Sequence, residues 1–316
     1  MVLSNATTVM SPPARTCKCH HCPGVCGMRS KALLSNNPFM ERTMGQLISD
    51  RDWQFYQDNG YLKLGKVLSD KDLEALRTRI DDIMLGKADL DYNRLLMQLD
   101  SDTGKYEDMG EQTRGHKGKT LGYRKIQDLE FDPLFLEFMQ RPIFREICER
   151  VYGKATPINA FRAMFMNKPS HKGTFLPFHQ DRWNYLDRDP LVTLWTALDP
   201  ATVANGCVQI VPGSHKMGLI NKDHPSGFLT KEQAAKYCSA DKIEYLEMAP
   251  GESALMHNWL LHGSDVNKTD ISRRAFSVCY MDANTKTSNG ETFTRVFGQG
   301  AISVADLKKT PVAANA

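Results

Sequence analysis

Apolar residues recur with two different periods along this chain, and the period changes near residue 158. Before that point the spacing is helical. Ser49 can cap a helix with Asp52 three residues on, Trp53 and Tyr56, with Phe55 beside them, supply its apolar face, and Gly60 ends it. Ser69 and Asp72 repeat that start, Leu73, Leu76, Ile80 and Ile83 keep the helical period, and Gly86 stops it. Asp132-Pro133 reads as a cap followed by a first-turn proline, and a further helix is expected from Pro142 to Gly153 with Ile143, Ile147 and Val151 inward. Residues 85–120 are polar and carry Gly104, Gly110, Gly115 and Gly118, which predicts a long mobile excursion able to act as a lid; residues 283–300 are a second lid candidate. Beyond residue 158 the stretches 160–166, 191–198, 207–211, 243–248, 253–257 and 273–281 are short, β-rich and separated by turn signals. Helices first and many short strands afterwards predict a mainly β chain of α+β class, a jelly roll with a helical layer on one side.

Residues 48–302 are read as that domain, residues 1–47 as a flexible, Cys-rich extension and residues 303–316 as a loose tail. With 41% hydrophobic and 24% charged residues among 316, the composition is globular. No apolar run is long enough to span a bilayer. The formal net charge is +3, but residues 1–40 hold Arg15, Lys18, Arg29 and Lys31 without any acid, so the remainder sums to −1. A near-neutral body argues against a nucleic-acid partner. Nothing in it specifies an oligomeric state.

Cys148, Cys207, Cys238 and Cys279 are scattered through the body, the usage of a reducing compartment, so a cytoplasmic location is expected, or an organellar matrix if residues 1–45 are a transit segment. Cys17, Cys19, His20, His21, Cys22 and Cys26 form a cluster able to hold zinc. No second pair follows at finger distance, so an accidental or redox-exposed tail is the alternative.

His179-Gln180-Asp181 sets an imidazole and a carboxylate two residues apart, which in extended chain sends both to the same side. His262 closes the apolar run Leu260-Leu261, where a third ligand can face a pocket; His215 and His257 compete for that role. Two histidines and one carboxylate are the facial triad of non-haem Fe(II) oxygenases, with three positions left open. In such a site 2-oxoglutarate fills two and dioxygen the third. Arg273, eleven residues after His262 on the next extended segment, offers a planar fork for the far carboxylate of 2-oxoglutarate, its alternative being a surface residue. Arg162, Arg182, Trp183, Asn184 and Tyr185 lie near the ligands in sequence or share a strand face aimed at them, which suits a small or medium organic acid with some apolar body. The competing reading is a non-redox cupin-like metal protein, or a metal-dependent binding protein, on the same fold.

Several stretches in order carry a more specific signal: Asn59-Gly60-Tyr61-Leu62, Lys125-Ile126-Gln127-Asp128-Leu129, Asn167-Lys168-Pro169, His179-Gln180-Asp181, Trp195-Thr196-Ala197, Asn205-Gly206-Cys207, Val211-Pro212-Gly213-Ser214-His215, and His262-Gly263-Ser264 with Asn267-Lys268 and Arg273. Together they resemble the phytanoyl-CoA dioxygenase family of Fe(II)/2-oxoglutarate oxygenases over roughly residues 52–283. The resemblance implies a double-stranded β-helix core with iron held by His179, Asp181 and His262. It implies Arg273 and Ser264 at the distal carboxylate of 2-oxoglutarate, with Gln180, Trp195, Met164 and Lys125 lining the cosubstrate pocket. Trp195 and Met164 read equally as core filling, and Lys125 as a surface cation. Within the resemblance His215 falls in a structural loop and His257 at a variable position. Asp181 stands where related halogenating enzymes have a small residue, so hydroxylation of a small-molecule substrate is implied, with release of succinate and CO2. A fatty acyl thioester is a further substrate possibility by family analogy.

Overall fold

Two serines open the helical layer as their spacing requires. Ser49 Oγ accepts from the Asp52 amide and Ser69 Oγ from the Asp72 amide, each at 3.1 Å, satisfying donors that the first helical turn leaves unpaired. They start α1 (Asp50–Asn59) and α2 (Asp70–Met84). Asp132 caps α3 (Pro133–Met139), whose first residue is the expected proline, and α4 (Pro142–Tyr152) follows. Two short helices come later, α5 (Lys231–Tyr237) and α6 (Val304–Lys309). The structure, a computed structural model, describes residues 47–309; the Cys17–Cys26 cluster and residues 310–316 lie outside the described residues.

Thirteen strands are present among the described residues: β1 (Tyr61–Lys66), β2 (Leu96–Leu99), β3 (Thr113–Arg114), β4 (Tyr123–Gln127), β5 (Ile158–Lys168), β6 (Leu176–His179), β7 (Val192–Ala197), β8 (Val208–Ile210), β9 (Glu244–Leu246), β10 (Glu252–His257), β11 (His262–Ser264), β12 (Arg273–Asp282) and β13 (Thr294–Phe297). The large sheet runs β1-β10-β7-β12-β5-β4-β2-β3, with β13 on β5, and the small one runs β6-β11-β8-β9. This is the double-stranded β-helix of a jelly roll, and all its pairings are antiparallel.

Alternation along the large sheet divides its side chains between two layers. Leu194, Phe276, Val278 and Tyr280 face the helices, where Leu73, Leu76, Ile80 and Ile83 of α2 and Phe135, Phe138 and Phe144 of the next two helices bury the other half of the core. Trp195, Ala197, Met256 and Ala275 face the small sheet and meet Val208, Ile210 and Leu246. The inner face of α4 differs from expectation. Phe144, Ile147 and Cys148 are buried, whereas Ile143 and Val151 are only partly covered, because the aromatic ring at 144 fills the position against Phe138 and Tyr280.

The polar excursion of 85–120 is also more ordered than its composition predicts. β2 pairs with β4 and carries β3, so the segment extends the large sheet. Residues 304–309, part of the tail expected to be loose, form α6, and Val304 and Leu307 pack on the main core. Among the described residues no helix is long and apolar enough to cross a membrane.

Candidate metal and cosubstrate site

In the small sheet β6 and β11 pair so that His179 and His262 are direct cross-strand partners, with ring centroids 4.2 Å apart. Gly263 permits the close approach, since a Cβ there would sit 2.9 Å from the Leu176 carbonyl oxygen. Each imidazole is oriented in the same way. His179 Nδ1 is 2.9 Å from the Pro177 carbonyl and His262 Nδ1 is 2.9 Å from the Leu260 carbonyl. A carbonyl only accepts, so both Nδ1 atoms carry the proton and both Nε2 lone pairs are free to bind a cation. Burial, reinforced by the neighbouring His262, pulls the His179 pKa down to about 4 and keeps that ring neutral.

Asp181 follows β6 by two residues, and its amide donates to the Asn258 carbonyl at 2.7 Å. Its carboxylate oxygens lie 3.6 Å from His179 Nε2 and 3.9 Å from His262 Nε2. One donor atom from each of the three residues falls within 4.8 Å of the others. Bonds of about 2.1 Å at right angles set donors roughly 3 Å apart, so a small contraction brings the three onto one ion. Two neutral imidazoles and a carboxylate on one side of an open cavity are the donor set suited to ferrous iron.

That cavity has a volume of about 260 Å³ and lies between the two sheets. At one end Arg273, from the start of β12, is 3% exposed, and its Nε and Nη1 are buried without a hydrogen-bond partner. Its guanidinium lies 5.5 Å from the Trp195 ring centroid, and burial lowers its pKa to about 10. An unpaired buried fork of this kind is a receptor for a carboxylate. The residues present therefore fit both iron and 2-oxoglutarate. Ser264, Trp195, Met164 and Lys125 line the same cavity; Trp195 is at once core and wall. Burial and the positive charges of Arg162 and Arg124 push the Lys125 ammonium well below its usual pKa.

Two β-bulges place side chains that strict alternation would turn away. The β2–β4 register skips Arg124, so Arg124 and Lys125 both face the cavity. The β12–β5 register skips Phe161, so Phe161 joins Arg162 on the cavity side. Arg162 and Trp183 line the cavity, as does Arg182. Tyr106 and Phe228 also line it and stack edge to face with centroids 4.9 Å apart, Phe228 lying 5.0 Å from the His179 ring. Arg124, Tyr106 and Phe228 are absent from the candidates drawn from sequence.

Three of those candidates lie elsewhere, Asn184 being exposed and outside the cavity lining. Gln180 is 1% exposed and points out of the cavity, because it alternates with His179 along the strand; its amide nitrogen donates to the Gly218 and Trp259 carbonyls and its oxygen accepts from the Ile220 amide. Tyr185 sits behind the wall, beside Arg162 and against Phe161, with its carbonyl tied to the Ser288 amide. His215 and His257 pair with each other at 5.1 Å, and neither lines the cavity. His215 donates from Nε2 to the Gln57 carbonyl, and His257 Nδ1 accepts from the Trp259 amide.

Comparison with known proteins agrees with this architecture. The sequence profile of phytanoyl-CoA dioxygenase (PhyH) matches residues 56–275. A probable phytanoyl-CoA dioxygenase of Caenorhabditis elegans is 31% identical over 247 residues, 75% of this chain and 76% of that protein. The human peroxisomal phytanoyl-CoA dioxygenase is 28% identical over 240 residues, 73% of this chain and 68% of its own length. Among solved structures, EctD from S. alaskensis with 2-oxoglutarate and 5-hydroxyectoine superposes with a TM-score of 0.60 at 18% identity, covering 78% of this chain and 81% of that one. The epimerase SnoN, in complex with Fe3+, alpha ketoglutarate and nogalamycin RO, gives a TM-score of 0.57 at 17% identity, covering 84% and 91%. The chain belongs to the phytanoyl-CoA dioxygenase family of Fe(II)- and 2-oxoglutarate-dependent dioxygenases.

Proposed function

We propose that this enzyme hydroxylates an unactivated C–H bond of a small or medium organic substrate and releases succinate and CO2 from 2-oxoglutarate. One observation carries the reading: the His179, Asp181 and His262 donors and the unpaired Arg273 fork open onto one cavity. Iron with 2-oxoglutarate supplies the activation of dioxygen that protein side chains lack. His179, Asp181 and His262 hold the metal, and Arg273 with Ser264 fixes the far carboxylate of the cosubstrate. Trp195 and Met164 form its wall, with the Lys125 amine beside it. Tyr106 and Phe228 exclude water at the metal end, where His179 already has little solvent access.

Arg162, Arg182 and Trp183 are assigned to the substrate. The relatives are named for a fatty acyl thioester, and the EctD structure holds 5-hydroxyectoine. A cavity of about 260 Å³ favours the smaller kind of molecule, or the acyl end alone of a larger one. A non-redox metal protein on this fold has no use for a buried unpaired arginine where a dicarboxylate would end.

Anaerobic addition of Fe(II) and 2-oxoglutarate is expected to give a visible charge-transfer band that Asp181→Ala and His262→Ala weaken. Arg273→Ala is expected to raise the dissociation constant of 2-oxoglutarate by roughly 10–100-fold, the cost of losing a charge-assisted pair. A wild-type protein without the band, or an unchanged affinity in the Arg273 variant, would overturn the assignment.

A further inference from the structure

The walls of the cavity are far more positive than its metal chemistry needs. Arg124, Lys125, Arg162, Arg182 and Arg273 line it, against Asp181 as its one lining acid. None of the five makes an ion pair with a carboxylate among the described residues. By contrast Arg274, next in sequence but on the other face of β12, is bonded to both Asp199 and Asp81. A ferrous ion and the two carboxylates of 2-oxoglutarate cancel one another, so Asp181 and the four arginines alone leave three formal positive charges. A low-dielectric cavity holds such a surplus at a cost that a bound anion relieves.

The surplus has a second pole. Arg162 stands opposite Cys279 in the β12–β5 register, six residues along β12 from Arg273, a backbone distance of about 20 Å. The two guanidiniums rest on different rings: Arg273 over Trp195, Arg162 over Phe161 and Trp183 at 5.2 and 4.9 Å. The partners of Arg162 are neutral, the Gln127 amide at 3.4 Å and the Tyr185 hydroxyl. Arg182, which also lines the cavity, has its Nε buried without a partner. A five-carbon dicarboxylate separates its acid carbons by about 5 Å and so occupies one pole and the metal, leaving the other free.

Resting on the oxygenase reading above, we propose that the primary substrate carries a free oxyanion, a carboxylate or a phosphate monoester, and that Arg162 is the side chain that recognises it. Arg162 shares the cavity face of β5 with Met164 and Met166, and the β-bulge at Phe161 sets one supporting ring beside it, so the acid group docks on the guanidinium and the carbon body lies between Trp183 and the metal. An amide or an alcohol of the same shape would leave the charge of the guanidinium uncompensated and be rejected.

The test uses the full chain loaded with Mn(II) and 2-oxoglutarate, which occupies Arg273 and prevents turnover. Graded series of straight-chain carboxylates, alkyl phosphates and the matching neutral amides are then titrated by calorimetry. At least one acid series is expected to bind about ten-fold or more tightly than the amides, and which series does so tells carboxylate from phosphate. Arg162→Gln should abolish that preference, Arg162→Lys should restore part of it, and both should leave 2-oxoglutarate affinity within about two-fold. Equal binding of acids and amides, or failure of every acid to bind, overturns the proposal. So does an Arg162→Gln variant that keeps the preference or loses 2-oxoglutarate instead. Failure of the underlying reading shows separately, as a wild-type protein that does not bind 2-oxoglutarate with the metal present.

Discussion

Glu130 shows what burial without an ion pair does to one side chain. It is 8% exposed, its Oε2 has no partner, and its Oε1 takes a long bond of 3.4 Å from Thr294 Oγ1. Burial raises its pKa from 4.5 to about 7. An acid whose folded pKa is raised binds its proton more tightly in the native state. The stability it contributes is complete below pH 4.5 and is lost as pH rises from 4.5 to 7. Glu130→Gln keeps the shape without the charge. The variant is expected to match the wild type near pH 4.5 and to exceed it by ~1–3 kcal/mol at pH 8, read from urea denaturation at both pH values. A difference that does not change with pH would refute burial as the cause.

At the scale of elements, the site depends on where loops clamp the end of β6. Gly227 adopts φ +66, its carbonyl accepts the Gln180 amide at 3.2 Å, and a Cβ on it would lie 2.1 Å from the Gln180 carbonyl oxygen. Gly227→Ala must therefore separate this loop from the backbone between His179 and Asp181. The expected result is a loss of about 1–3 kcal/mol in stability and a 10–100-fold weaker metal affinity, measured by metal titration alongside denaturation. Unchanged metal affinity would show that the loop bears no part in orienting the ligands. Gln180 belongs to the same clamp, and this is where sequence reasoning met its limit. The helix caps at Ser49, Ser69 and Asp132 were legible because they depend on neighbours two or three residues away. The triad was legible because two of its ligands stand two residues apart in the sequence. Arg124 was not, since Lys125 claims the inward position and only a register shift against β2 frees its neighbour. Phe228 was not either, because its place on the His179 ring is set by contacts across the fold rather than by local pattern. The polar composition of 85–120 concealed β2, a strand of four residues supported by β4.

Across the whole described unit, one charged network joins the helical layer to the large sheet. Arg274 leaves β12 on the helix side and bonds Asp199, at the end of β7, through Nε at 2.7 Å and Nη2 at 2.9 Å, and Asp81 of α2 through Nη1 at 2.6 Å. Arg77, one turn earlier on α2, donates to the Leu198 carbonyl at 2.7 Å and lies 3.6 Å from Asp199. The apolar contacts of α2 are non-directional, so this network is what fixes its rotation on the sheet. The solvent access of the acids differs: the Asp199 side chain is 7% exposed and that of Asp81 35%. Removing Arg274 leaves the buried Asp199 carboxylate with the more distant Arg77 as its remaining side-chain cation, whereas removing Asp81 leaves Arg274 still doubly bonded. Arg274→Ala is therefore expected to cost roughly 2–4 kcal/mol and Asp81→Asn about 1 kcal/mol or less. Because Arg274 and the Arg273 fork project from opposite faces of β12, the Arg274→Ala loss should appear in denaturant midpoints while 2-oxoglutarate affinity changes by less than about three-fold. An affinity that falls in step with stability would mean that the layer behind the sheet sets the position of Arg273, and that the anion pole is held by the helices as well as by the strand.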